Sequence, residues 1–138
     1  MSDLTRRSLM EAVGALLVFA SQSSAQNAAG PRTPIFQHDL PDLALKGWSV
    51  TAVEVRYGPG QGSPAHRHPG LTIAYVLEGE VVSKIGDEAE RTYKTGEMFM
   101  ETPNQLHAVS RNASSTQPAR LLAILLAEKG ARLTTPEK

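Results

Sequence analysis

The chain contains no cysteine. Disulfides, thiolate nucleophiles and zinc sites built on sulfur are therefore excluded, and any metal must be held by nitrogen and oxygen. Net charge is missing too: 14 lysines and arginines balance 14 aspartates and glutamates. No basic field exists to attract nucleic acid, so no nucleic-acid partner is expected. A chain of 138 residues is too short for two comfortable cores, which predicts one domain. The apolar segment Ala12 to Ala20 falls well short of the roughly 20 residues that cross a bilayer.

That segment sits in a distinctive N-terminus. Arg6 and Arg7 precede it, and the small polar run Ser21-Gln22-Ser23-Ser24-Ala25 follows. Basic, apolar and small-residue regions in that order predict an export signal over residues 1–25, with paired arginines of the twin-arginine type. The alternative is a basic start running into an amphipathic helix, which Glu11 favours. The signal reading predicts a periplasmic or secreted protein with no stable membrane anchor once the signal is removed. Residues 26–46 hold Pro31, Pro34 and Pro41 and read as a linker, with a short edge strand expected around Ile35-Phe36-Gln37. His38 lies there and reads as an exposed loop residue.

From Trp48 the pattern has period two, and Val53, Val55 and Tyr57 share one face. A turn-rich loop, Gly58 to Pro64, delivers the chain to His66. Strands are expected at Leu71–Leu77, Val81–Ile85, around Arg91–Lys94, at Met98–Glu101 and at Leu106–Arg111, separated by Gly, Pro and Asn turns. The run Ala119–Leu126 is too uniform for periodicity to separate strand from helix. Its leucine and alanine content leans helical, and only the strands before it argue for a strand. Residues 128–138 read as a frayed tail. Many short, evenly spaced strands predict an all-β antiparallel sandwich or barrel.

Four histidines occur in the chain: His38, His66, His68 and His107. His66 and His68 stand two apart, so on an extended backbone both rings project to one face and can reach a common ion. His107 also opens a strand just after a turn.

These residues resemble the motifs of the cupin family. Gly60, His66, His68 and Gly79 fall in register with the first cupin motif, while Thr72 stands where that motif carries glutamate. Gly96 and His107 keep the spacing of the second. There Pro103 is one place late and Asn104 replaces a glycine, a mild departure because asparagine tolerates left-handed backbone best. The resemblance covers residues 47–127 and implies a jelly-roll β-barrel. It implies one divalent metal ion held by His66, His68 and His107, with iron(II) the first choice and zinc, manganese and nickel as alternatives. With no carboxylate at position 72, the full +2 charge would stay on the ion and favour anionic ligands.

Glu101, in the strand before His107, is the candidate catalytic acid or base, or a group beside the ligands; otherwise it is solvated or paired with Arg111. Met98, Phe99 and Met100 read as core, and Arg67 as solvated. The implied function is a metal-dependent dioxygenase or related oxidoreductase acting on a small bidentate substrate, a dione or flavonol. The alternatives are a non-catalytic small-ligand or metal-binding cupin, and an isomerase, decarboxylase or lyase. A homodimer formed through sheet edges is the expected assembly.

Overall fold

Trp48–Tyr57 forms β1, and its alternation places Val53, Val55 and Tyr57 on the inner face. Two-residue strands follow, β2 (Gly62–Ser63) and β3 (His66–Arg67). Then come β4 (Leu71–Glu78), β5 (Glu80–Ile85), β6 (Arg91–Lys94), β7 (Met98–Glu101), β8 (Leu106–Asn112) and β9 (Ala119–Glu128). A last short strand, β10, spans Thr135–Pro136. This computed structural model describes residues 34–138, and no helix occurs among them. The expected export signal and the first part of the linker lie outside the described residues.

The strands make two antiparallel sheets, one in the order β1-β9-β4-β7 and one in the order β10-β3-β8-β5-β6, with β2 also on β8. Order and direction give the expected jelly-roll topology. Ala74, Phe99, Leu121 and Leu125 from the first sheet meet Val81, Ile85 and Tyr93 from the second in one core. Tyr93 and Phe99 pack ring on ring at 4.7 Å.

The ambiguous run at the end of the domain is a ten-residue strand at the centre of the first sheet. Every odd residue from Ala119 to Ala127 is buried, an alternation that aliphatic residues on both faces hide in the sequence. Gly70 lets β4 enter beside it, because a Cβ there would collide with the Leu126 carbonyl oxygen. Asn104 takes φ of 62°, the left-handed turn expected of a residue in a glycine position.

Two expectations fail. No strand forms at Ile35–Gln37, where Ile35 is exposed and Pro34 offers no N–H to a neighbour. The tail is not frayed. Thr135 and Pro136 pair with Arg67 and His66, the Glu137 N–H donates to the Ala65 carbonyl, and Leu133 packs against the core.

Candidate metal centre

Two paired strands, β3 and β8, bring the imidazoles together, with His68 just past the end of β3. His66 sits opposite His107 on the β3–β8 rung, and His68 follows on the same side, with ring centroids 4.9 to 5.0 Å from that of His66. The carboxylate comes from the other sheet. Glu101 of β7 stands directly opposite Thr72 of β4, the position where the motif calls for glutamate. One rung of the ladder thus carries the acid on its partner strand, with its side chain on the same face. One ligand atom from each of His66, His68, Glu101 and His107 lies within 4.8 Å of the others.

Backbone and hydroxyl groups fix which nitrogen each ring presents. The Nδ1–H of His66 donates to the Pro64 carbonyl at 2.7 Å, and that of His68 to the Leu133 carbonyl at 2.6 Å. Both rings therefore turn an Nε2 lone pair inward. His107 is reversed: its Nε2 bonds the Ser83 hydroxyl at 2.8 Å, leaving Nδ1 for the centre. Such partners orient metal-binding imidazoles and fix their tautomers. Burial is the first cause that holds His66 below its ordinary basicity, followed by the repulsion of the neighbouring rings; the Pro64 carbonyl and Glu101 oppose it.

The donor set passes a direct test of fit. Glu101 Oε2, His107 Nδ1 and Thr72 Oγ1 are buried without a hydrogen-bond partner, a cost of about 1–3 kcal/mol for each such group. Glu101 Oε2 and His107 Nδ1 lie 3.2 Å apart without hydrogen-bond geometry, and His68 Nε2 lies 3.9 Å from the same oxygen. Two donors on one ion at bonds of about 2.1 Å are separated by roughly 3.0–3.4 Å. The atoms converge on a shared point rather than on each other. Three imidazoles and one carboxylate suit one divalent cation, and the carboxylate lowers the net charge at the centre to +1. That corrects the expectation of an uncompensated +2.

Arg67 is not merely solvated. It projects away from the histidines, and its guanidinium donates to Glu137 Oε2 at 2.8 Å and to the Asn104 carbonyl at 2.7 Å. It ties β3 to the tail and to the turn that leads into His107. Arg111 pairs with Glu90, not with Glu101, and exposed His38 bonds the Asp39 carbonyl and is not part of the cluster. Phe99 is core as expected, yet it also lines the cavity beside the clustered histidines.

That cavity holds about 260 Å³ between the two sheets. Its walls are mainly aliphatic, from Val55, Leu121, Ala123, Leu125 and Leu133, and among the described residues that line it Glu101 is the sole acidic one and none is lysine or arginine. Val53 lines it while staying 40% exposed, so the cavity reaches solvent there.

The model of the cupin domain matches residues 53–125, more than half of the chain. The protein is a member of the cupin family. No curated protein matches it. Among solved structures, this cupin is similar to a DMSP lyase, DddQ, from Ruegeria pomeroyi at 20% identity and TM-score 0.56, covering 64% of this chain and 43% of that one. It thus spans less than half of that lyase. It is also similar to an uncharacterised double-stranded β-helix protein from Klebsiella pneumoniae at 24% identity and TM-score 0.54, covering 64% and 76%. A third is a cupin-like protein from Thermotoga maritima at 20% identity and TM-score 0.56, covering 64% of each chain. At these identities the likeness establishes the fold.

Proposed function

We propose that this cupin is a metal-dependent dioxygenase or related oxidoreductase that takes a small bidentate substrate as its monoanion, an enolised dione or a flavonol-like enol. The observation that carries this reading is the wall of the cavity. A centre of net charge +1 adjoins an aliphatic space to which no described residue adds a cationic side chain, so one negative charge is matched and a second is not. That composition disfavours a dianionic acid.

His66, His68 and His107 would hold the ion with Glu101, and iron(II) is the first choice among divalent metals. When bound, the metal supplies Lewis acidity and a place for oxygen to meet an activated substrate. The protein does the rest. Glu101, the only carboxylate lining the cavity among the described residues, takes the enol proton at Oε1, leaving Oε2 for the ion, and passes it to solvent, which restores the +1 charge; the aliphatic walls then exclude water from the bound anion.

Oxygen uptake by protein reconstituted anaerobically with iron(II), then offered a panel of diones and flavonols, tests the reading. Uptake with at least one member is expected, and Glu101→Gln should slow it by about 10²-fold or more. No uptake with iron, manganese, nickel or zinc would overturn it in favour of a binding protein.

Two properties belong to the same proposal. The paired arginines and short apolar segment support export to the periplasm or beyond, in the folded state. Assembly as a homodimer is supported by the outer face of the first sheet, where Ala52, Ile124, Ile73 and Met100 form one row and Leu122, Tyr75 and Met98 the next.

A further inference from the structure

Three hydroxyls interrupt the apolar wall of the cavity away from the metal ligands. Tyr57 Oη lies 2.7 Å from Ser63 Oγ and 2.9 Å from Ser110 Oγ, and all three residues line the cavity. Tyr57 is 7% exposed and Ser110 5%. A local irregularity puts Ser110 there. His107 and Ser110 are three residues apart, so regular alternation would turn them to opposite faces. The β5–β8 register shifts between Lys84 and Ile85, giving β8 one extra residue, and both side chains consequently face inward. Ser63 stands opposite Ser110 on the β2–β8 rung, which completes the group.

Proton bookkeeping shows what this group can do. Three hydroxyls carry three protons, and the two bonds among them consume two. No other acceptor among the described residues takes the third, whichever oxygen bears it. An unspent O–H in an apolar cavity requires water or a ligand atom, since a buried unsatisfied donor costs about 1–3 kcal/mol. At about 3.3 Å per strand residue, Ser110 lies roughly 10 Å along β8 from His107, the span of a small molecule.

We infer that Tyr57, Ser63 and Ser110 form a second binding subsite, which donates one hydrogen bond to a carbonyl or ether oxygen of an otherwise apolar ligand. This deepens the oxygenase proposal and rests on it for taking the cavity as the substrate site. The ligand class is thereby narrowed to a molecule with a chelating end at the metal and a lone acceptor oxygen at its far end. A hydrocarbon tail would leave the proton unspent, and a distal carboxylate would place a second charge among aliphatic walls.

A carbonyl vibrational probe tests the subsite without the metal. Cyclohexanone and its carbonyl-¹³C form are bound to metal-free protein, and the isotope-edited infrared spectrum reports the C=O stretch. Wild type should bind the ketone and move the stretch to lower wavenumber than in a hydrocarbon solvent. The variant Tyr57→Phe/Ser63→Ala/Ser110→Ala removes all three hydroxyls together, a change that should leave the fold intact because no partner is orphaned. It should return the stretch to the hydrocarbon value and weaken binding about three- to tenfold. Tyr57→Phe alone should keep the shift, because each serine then holds its own proton. No binding to wild type, or the same stretch in wild type and the triple variant, would overturn the inference. Either result is independent of oxygen uptake, so the subsite and the oxygenase reading can fail separately.

Discussion

Each of the three clustered histidines is tied to its own outside group, so single substitutions have separable consequences. His107→Ala removes the only donor from β8 and should abolish stoichiometric metal, measured by elemental analysis of protein purified without an affinity tag. The rung shared by Thr72 and Glu101 makes a sharper prediction. Thr72→Glu puts two buried carboxylates face to face and should lower the stability of the metal-free protein, whereas the exchange Thr72→Glu/Glu101→Thr should bind metal again. Denaturant midpoints and metal titration of both variants check this; an exchanged protein with no affinity would show that the two positions are not equivalent. Protonation of His66 gives the metal-free protein a pH dependence of defined sign. Its basicity is depressed in the fold, so the unfolded chain binds the proton more readily and stability rises with pH. Unfolding midpoints should therefore fall as pH drops below the ordinary histidine value of 6.5 towards the lower folded value.

Among the elements, the short C-terminal strand has the largest unexpected effect. The segment around β10 supplies the Leu133 carbonyl to His68 and the Glu137 carboxylate to Arg67, yet its sequence has none of the alternation that marks β1 or β4. Truncation after Gly130 should weaken cobalt(II) binding about 10–100-fold and alter its visible spectrum, because His68 loses the acceptor that fixes its tautomer. Unchanged affinity and spectrum would make the strap dispensable. Period-two patterns, turn residues and histidine spacing made the central strands and three of the four clustered side chains legible in the sequence. Pairing across strands was not. The opposition of Thr72 to Glu101, the extra residue in β8 that turns Ser110 inward, and the docking of the tail on β3 arise from register, which no local stretch encodes. The absent edge strand at Ile35–Gln37 shows the converse, a local composition with no neighbouring strand to pair with.

At the scale of the whole molecule, metal and fold should be linked. A chelator should lower the melting temperature of metal-loaded protein, since an ion present at 1,000 times its dissociation constant contributes about 4 kcal/mol. The proposed dimer predicts that Ile124→Glu, on the outer face of the first sheet, yields a monomer by light scattering without loss of metal. A monomeric wild type would refute that assembly. The placement of the carboxylate also bears on descent. Moving an acid from one side of a rung to the other takes two substitutions at distant codons, and the order matters. A step that first deletes the acid leaves the site short of a ligand, while a step that first adds the second acid retains four donors and can be sheltered by the bound cation. Lineages with acids at both positions are the intermediates to expect, and ancestral reconstruction would find them only if ladder partners are treated as one inherited unit.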